Sequence, residues 1–356
     1  MMDMQDANEL AGDDIDTEAD SHYCSDTIKV VLLPIKKGNF IKHHEYEVNE
    51  QLKSKVERRY NDFDLLHTQL LSKYSNRMIP KIPPKGMMLD ILLEERRVAL
   101  ERYLRLLSQH KVISEDSMFK CFMTDQSADR ISVLQDHFDA EPDEISRISP
   151  SMILPPVDRA LLKSQRDLIL VNLNLVVKLK MLIESQAKRE MQQAKDFSEM
   201  SHALTGMDHE SLEDFIRSFN EISKESEKAS NNQQKAVIER LETVIEALSG
   251  HTDLCDRIDK KINVDQSFAH AAAVRARIQN AVRTPSVDAV AQHELEVQRQ
   301  NSFAMSCLNK ETKAAIGFLK LLPSILLQFS HEESNGFASI AQVFAKIVQV
   351  ESDKLN

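Results

Sequence analysis

The chain has 356 residues, of which 42% are hydrophobic and 28% are charged, and its formal net charge is -11 at pH 7. This length and composition argue against a disordered polypeptide and provide material for two domains with their own cores. The four cysteines form no CxxC pair. Their spacing argues against a disulfide framework or a zinc site and indicates a reducing, cytosolic environment.

Residues 1–24 form an acidic segment. The first 20 residues contain eight acids and no Lys or Arg. Such a segment cannot bury enough apolar surface to offset the entropy of ordering, so we predict a disordered tail. It also lacks the basic start of a signal peptide. The most apolar stretch of the chain, residues 314–329, is shorter than the ~20 residues of a membrane span and predicts a buried helical face.

Residues 25–126 have the pattern of a compact α+β domain. Three short segments rich in β-branched residues, DTIKVVLLPIKKGNF, IKHHEYEVNE and KSKVERRY, predict a three-stranded antiparallel sheet. Asn61 is expected to cap a helix that ends near Tyr74. The stretch RMIPKIPPKG then excludes a regular helix and predicts an extended loop. Two further helices are expected at about residues 89–109 and 114–123.

The remainder of the chain predicts helices. Residues 127–156 contain four prolines and an excess of acids, and they form the predicted linker. Residues 157–356 contain only two prolines, which predicts an elongated bundle of three long helices. Bends are expected near Gly250 in the second helix and near Pro323 in the third.

Two heptad rows mark the first of these long helices. One row consists of Leu161, Leu168, Leu175 and Leu182, and the other of Leu162, Ile169, Val176 and Ile183. Repeats of seven residues are typical of a coiled-coil seam. Because three long antiparallel helices leave one side of each without cover, we predict a homodimer with a six-helix bundle, and higher oligomers remain open.

The stretch VERRYNDF joins the last predicted strand to the first helix. It lies in the basic part of the chain, since residues 23–126 contain 18 basic and 14 acidic residues. Arg58 and Arg59 are neighbours on a strand and must face opposite sides of the sheet, so only one of them can face a given pocket. Tyr60 supplies a ring that could stack on a sugar, and Lys85 supplies a charge. An anion pocket and solvated or acid-paired arginines both fit this pattern.

The helix LLEERRVALERYLRLL supplies a further arginine. In one rotation its inward face holds Leu92, Arg96, Leu100, Tyr103 and Leu107. The charged residues of an exposed row are then Arg97, Glu101 and Arg105. In a second rotation the inward face holds Leu93, Arg97, Leu100 and Leu104. Periodicity alone leaves both rotations open.

In this order and spacing, RRYNDF, IPKIPPK and EERRVALERYL resemble the phox homology (PX) domain of sorting nexins. The long helices resemble the BAR domain of the PX-BAR sorting nexins. The resemblance implies a pocket for phosphatidylinositol 3-phosphate, in which Arg59 would bind the 3-phosphate and Tyr60 would stack on the inositol ring. Lys85 would bind the 1-phosphate. Arg96 would hydrogen-bond the 4- and 5-hydroxyls, which favours the first rotation of the helix.

The same resemblance implies a peripheral protein of the anionic early endosomal membrane, which acts in protein sorting and senses or shapes curvature through its BAR dimer. The basic residues near the turn between the second and third helices are Lys260, Lys261, Arg275, Arg277 and Arg283. If this turn is a bundle tip, they would contact anionic headgroups. A solvated helix end would give the same pattern.

Other functional classes have less support in the sequence. The chain contains no phosphate loop, GxSxG or HExxH motif, so we expect neither an enzyme nor a bound cofactor or metal. The small basic excess also argues against nucleic-acid binding. The alternative that remains is a dimeric coiled-coil scaffold without lipid selectivity, in which Arg59, Tyr60 and Lys85 would have no role.

Overall fold

The computed structural model describes residues 28–34, 36–37, 42–50, 54–85, 90–127, 129–147, 154, 156–207, 209–279 and 287–355. The predicted acidic tail lies outside these residues. The described chain begins with an α+β region and continues as long helices, in agreement with the sequence prediction.

The strands are β1 (Ile28–Leu32), β2 (Lys36–Lys37), β3 (Lys42–His43), β4 (Glu45–Glu50) and β5 (Ser54–Arg59). Strands β1, β4 and β5 form the predicted three-stranded antiparallel sheet in the order β1-β4-β5, and β2 pairs with β3 separately. In the register of β4 and β5, Glu45 lies opposite Arg59 and Tyr46 lies opposite Arg58. This register brings an acid next to the second arginine of the pair.

The helices of the first region are α1 (Tyr60–Lys73), α2 (Asp90–Gln109), α3 (Ser117–Thr124) and α4 (Arg130–Ala140), with a 3-10 turn at Ile113–Glu115. The long helices are α5 (Arg159–Thr205), α6 (Glu213–Gln233), α7 (Glu239–Gln279), α8 (Val287–Leu319) and α9 (Leu322–Leu355). A 3-10 turn, Glu210–Leu212, precedes α6, and a π-helical turn, Gln234–Ile238, joins α6 to α7.

The core of the first region is built around Phe63 on α1. The ring of Phe63 meets Tyr46 and Phe122 edge-on, at centroid distances of 6.2 and 5.0 Å. The prediction that Asn61 caps α1 was wrong. The helix begins at Tyr60, and the Asp62 carboxylate accepts a 2.7 Å hydrogen bond from the Arg59 backbone N–H. Asp62 therefore fixes the transition from strand to helix.

Part of the predicted linker is an ordered helix. Helix α4 packs on the core of the first region through Leu134, which is buried. Its start is capped by Asp129, whose carboxylate accepts a hydrogen bond from the backbone N–H of Ser132 at 3.3 Å. Residues 130–140 therefore pack against the α+β region. The domain boundaries that we proposed from the sequence stay predictions.

The chain divides into two compact units. The first comprises Met1–Leu170 with Glu246–Gly317, and the second comprises Val171–Ile245 with Phe318–Asn356. In the second unit, α5 and α6 are antiparallel and joined by serine hydroxyls: Ser230 donates to the Ala187 carbonyl at 2.9 Å, and Ser223 donates to the Ala194 carbonyl at 2.7 Å. These bonds set the register of the two helices.

Helix α9 packs on α6 in the same unit. Near one end, the Lys354 ammonium lies 2.6 Å from the Asp214 carboxylate. Further along, a Cβ built on Gly336 would lie 3.2 Å from the Cβ of Ala229, so the two helices approach closely there. The pairing is antiparallel, because the residue numbers rise on one helix as they fall on the other.

The two heptad rows of α5 have opposite environments. The side chains of Leu162, Ile169, Val176 and Ile183 are at most 4% exposed. The side chains of Leu161, Leu168, Leu175 and Leu182 are 51–60% exposed. The single chain thus buries one of the rows and leaves the other open to solvent.

The breaks in the long helices agree only in part with the predictions. Helix α8 ends at Leu319 and α9 begins at Leu322, so the third predicted helix is interrupted just before Pro323. No helical break marks Gly250, which lies inside α7. The irregularity in the second predicted helix is instead the π-helical turn at Gln234–Ile238.

One helical stretch among the described residues, Glu294–Lys354, includes a window apolar enough to cross a membrane, with a mean hydropathy of 1.3 and 22% of the window buried. This is weak evidence for a span, because core helices of soluble proteins have the same length and composition. Within residues 314–329, Ala315, Phe318 and Ile325 are buried, as the sequence predicts. Leu326 and Leu327 are exposed.

A pair of carboxylates in the second unit predicts a pH-dependent stability. The side-chain amide of Gln233 donates to Glu190 at 2.8 Å and also to Glu333. Burial and the charge of Glu333 raise the pKa of Glu190 to about 7. Since the pKa of an unfolded glutamate is ~4.3, the free energy of unfolding should fall as the pH rises through the interval between these two values.

We therefore expect Glu190→Gln to raise the free energy of unfolding more at pH 8 than at pH 5, as measured by urea denaturation. The exposed Glu199→Gln on the same helix is the matched control and should show no such difference. An equal effect of Glu190→Gln at the two pH values would contradict the assignment.

Candidate functional site

Arg58 and Arg59 face opposite sides of β5, as strand geometry requires. Arg58 is only 1% exposed. Its Nε donates to the Phe122 carbonyl at 2.9 Å, and its Nη2 donates to the Asp125 carbonyl at 2.7 Å. These carbonyls lie at the end of α3, where a cation is favoured by the unpaired acceptors and the helix dipole. Arg58 therefore has a structural role.

Arg59 faces the other side and has a side chain that is 51% exposed. Its Nε donates to the buried carboxylate of Glu45 at 3.0 Å. Among the residues that the structure describes, its two Nη groups have no hydrogen-bond partner. Glu45 thus orients the guanidinium while leaving two donor groups for an anion.

Tyr60, Lys85 and Arg96 converge next to Arg59. The Tyr60 hydroxyl donates to the Pro83 carbonyl at 2.6 Å. Lys85 Nζ donates to the Asn61 side-chain oxygen at 2.8 Å. The guanidinium carbon of Arg96 lies 5.2 Å from the centre of the Tyr60 ring. The structure thus joins α1, the proline-rich loop and α2 at the end of β5.

Helix α2 turns Arg96, and not Arg97, towards Tyr60. Arg97 is held elsewhere, because its Nη1 donates to the Val30 carbonyl at 2.8 Å and to Glu101 at 3.0 Å. The orientation of Arg96 agrees with the first of the two rotations. However, Leu92 is 39% exposed and Leu93 is 2% exposed, so the expectation that Leu92 faces inward was wrong.

The predicted exposed charge row on α2 was also wrong. Glu101 is buried and accepts a hydrogen bond of 3.0 Å from the backbone N–H of Val30. This bond satisfies a donor of β1, which is an edge strand of the sheet. The carboxylate also pairs with Arg97, so its burial is compensated.

The phenol groups beside Arg96 respond to its charge. Burial raises the pKa of Tyr60; nearby Asp64 raises it further, and the positive charge of Arg96 opposes both. Burial likewise raises the pKa of Tyr46, and Arg96 again opposes the effect. Both phenols are therefore neutral hydrogen-bonding groups at physiological pH, and the fixed positive charge of the site comes from Arg59, Lys85 and Arg96.

Two residues of this site, Glu45 and Asn61, were not found as site residues from the sequence. Glu45 contacts Arg59, and Asn61 contacts Lys85. The sequence shows only a glutamate at the start of a predicted strand. That Glu45 is buried and lies opposite Arg59 depends on the strand register, which the sequence does not specify. Asn61 was predicted as a helix cap, and its side chain instead holds a lysine of the loop.

The predicted membrane contacts at the helix turn are described only in part. Lys260 and Lys261 are adjacent on α7, with Lys260 exposed and Lys261 partly buried. The side chains of Arg275, Arg277 and Arg283 lie outside the described residues. Within the described part of the chain, no group of three or more His, Cys, Asp or Glu residues is arranged to hold a metal ion.

A separate cleft of about 720 Å³ lies among the start of α5, α7 and α8. Arg159, Lys163 and Arg166 line it, but Asp259 pairs with Arg166 at 2.6 Å and Asp167 adds a second acid. The two acids partly neutralise the three basic residues of the cleft, unlike in the cationic cluster at Arg59.

Comparisons with known proteins agree with this architecture. The family model of the PX domain matches residues 46–126. Sorting nexin-8 from Homo sapiens is 27% identical over an alignment that covers 90% of this chain and 77% of that protein. Sorting nexin-8 from Mus musculus is 29% identical, with coverage of 90% and 78%.

A shorter match of 30% identity links 50% of this chain to 28% of Sorting nexin MVP1 from Mycosarcoma maydis. Among solved structures, the cryo-EM structure of the SNX-BAR Mvp1 tetramer has a TM-score of 0.71 and 18% identity, and the match covers 90% of this chain and all of that chain. At this identity the structural match establishes the fold alone.

The family model and the structural match together define a chain in which a PX domain precedes long helices with the fold of a SNX-BAR protein. The chain is homologous to sorting nexin-8 over most of its length and is similar in fold to the SNX-BAR protein Mvp1, which places its resemblance with the PX-BAR sorting nexins.

The two neighbouring arginines predict separable effects on stability. Arg58→Ala removes the donors at the end of α3 and should lower the free energy of unfolding by about 2–4 kcal/mol. Arg59→Ala removes a half-exposed guanidinium, but Arg130 still lies 3.7 Å from the buried Glu45 carboxylate, so the loss should be smaller, about 1 kcal/mol. Chemical denaturation of both variants measures the difference. Equal losses would contradict the division of roles.

Proposed function

We propose that the cationic cluster at the end of β5 binds phosphatidylinositol 3-phosphate. Arg59 binds the 3-phosphate through its Nη groups, and Tyr60 stacks on the inositol ring. Lys85 binds the 1-phosphate, and Arg96 hydrogen-bonds the 4- and 5-hydroxyls. These roles are those that the family resemblance implies for this sequence.

The observation that carries the proposal is the convergence of Arg59, Tyr60, Lys85 and Arg96 from three separate segments of the chain. A solvated charge pattern requires no such convergence. Bidentate guanidinium groups suit phosphate oxygens, and a lysine supplies a mobile point charge. The cluster thus combines two candidate phosphate-binding groups of different reach with an aromatic ring.

The geometry around Arg59 supports selective recognition. Glu45 accepts the hydrogen bond of the Arg59 Nε, which fixes the guanidinium and leaves its two Nη groups as donors for a phosphate. A guanidinium oriented in advance loses less conformational entropy when a phosphate binds. The nearby Glu45 carboxylate also disfavours anions that approach without contacting the Nη groups, which would add specificity for the correct phosphate position.

The helical region acts as a homodimer in this proposal, and it adds avidity for curved early endosomal membrane. The exposed heptad row of α5 supports a dimer, because exposed apolar stripes of this length mark interaction surfaces. The oligomer named for the solved Mvp1 structure is a tetramer, which supports assembly beyond one chain. Lys260 and Lys261 add positive charge for anionic headgroups.

Liposome co-sedimentation tests lipid recognition. The full chain should bind vesicles with phosphatidylinositol 3-phosphate and bind vesicles with unphosphorylated phosphatidylinositol much less. Arg59→Ala should weaken the selective binding by about 10- to 100-fold, since a hydrogen-bonded charge contributes about 1.5–3 kcal/mol.

Arg217→Ala is the matched control, because this arginine has a side chain that is 72% exposed and lies on α6. It should leave selective binding unchanged. Equal binding of the two vesicle types by the wild type, or no effect of Arg59→Ala, would contradict the lipid site and favour a coiled-coil scaffold without lipid selectivity.

The dimer is tested by changing the exposed heptad row. The double variant Leu168→Asp and Leu175→Asp should convert a dimer or larger assembly into monomers, because it places charges in an apolar interface. Sedimentation equilibrium measures the mass. Lys188→Asp, an exposed change elsewhere on α5, is the control. A wild-type chain that is monomeric at micromolar concentration would contradict the proposal.

A further inference from the structure

The loop between α1 and α2 supplies two of the contacts in the proposed lipid site. We call residues 74–85 the proline loop. Its Pro83 carbonyl accepts the hydrogen bond of the Tyr60 hydroxyl, and its Lys85 is held by Asn61. Because prolines at positions 80, 83 and 84 restrict the backbone, a displacement at the start of this segment is transmitted towards Lys85.

The other side of the proline loop rests on helix α7. Arg257 Nη2 donates to the Arg77 carbonyl at 2.7 Å, and its Nε lies 3.4 Å from the Ser75 carbonyl. Four residues earlier on α7, the Asp253 carboxylate pairs with Lys81 at 3.0 Å. Two side chains one helical turn apart therefore contact three residues of the loop.

Gly250 of α7 is part of the same contact. The contact explains why a glycine occurs in the middle of this long helix. A Cβ built on Gly250 would lie 3.1 Å from the Ile79 carbonyl oxygen and 3.3 Å from its carbon. These are backbone atoms, so they cannot avoid a side chain by rotating. A glycine inside a helix costs about 1 kcal/mol relative to alanine. Its presence here is explained by the close approach of the proline loop, and α7 is unbroken at this position.

We propose that Gly250, Asp253 and Arg257 of α7 are positioning residues for phosphoinositide recognition: they hold the proline loop where Lys85 and the Tyr60 contact complete the pocket. This inference rests on the proposed lipid site and goes beyond it, because it makes the affinity of the PX pocket depend on a helix of the BAR-type region. None of the three residues contacts the lipid in this account.

The test is a double-mutant cycle on the full chain. Isothermal titration calorimetry with a soluble short-chain phosphatidylinositol 3-phosphate measures pocket affinity without membrane avidity. Gly250→Ala should weaken binding about threefold or more, and in the Lys85→Ala background it should have little further effect, since contacting groups are coupled. Arg257→Gln is a second variant with the same expected coupling. Far-ultraviolet circular dichroism and thermal unfolding establish that each variant is folded.

Gly336→Ala is the matched control. It also adds a methyl group at a tight helical contact, 3.2 Å from Ala229, but in the second unit. It should leave the affinity unchanged. If Gly250→Ala and Arg257→Gln both bind like the wild type, or if their effects simply add to that of Lys85→Ala, the positioning role is overturned while the lipid site stands. If Lys85→Ala and Arg59→Ala bind like the wild type, the lipid site and the inference both fail.

Discussion

The alternation of side chains along a β-strand is the constraint on which this structure depends. It sends two adjacent arginines to opposite faces of β5, and each face offers a different environment. Arg58 enters the core and satisfies carbonyls at the end of α3, including that of Phe122 at 2.9 Å. Arg59 is left at the surface with a carboxylate on one side only. One dipeptide thus contributes both to the stability of the fold and to the charge of the candidate site.

The site is assembled from groups that are each held by a neighbour. Glu45 orients Arg59, Asn61 holds Lys85, and the Pro83 carbonyl holds the Tyr60 hydroxyl. Such support reduces the ordering cost of binding. Helix α7 extends the support beyond the PX domain, because it contacts the proline loop that supplies two of these groups. The candidate lipid site and the part of α7 that follows residue 245 are therefore in contact within one compact unit.

The sequence predicted much of this architecture because its signals are local. Strand alternation predicted that only one arginine faces the pocket, and heptad spacing identified both rows of α5. Spacing could not tell which row is buried, because this depends on the helix that packs against it. The burial of Glu101 and the role of Gly250 were missed for the same reason. Each depends on a backbone group of a distant segment, the Val30 N–H in one case and the Ile79 carbonyl in the other.

A structure of the chain bound to inositol 1,3-bisphosphate would test the central claim most directly. The account predicts one phosphate within hydrogen-bond distance of the Arg59 Nη groups, the other at Lys85 Nζ, and the inositol ring against Tyr60. Arg58 should remain bound to the Phe122 carbonyl. A phosphate bound at Arg97, or at a surface that does not include Arg59, would contradict the assignment of the pocket.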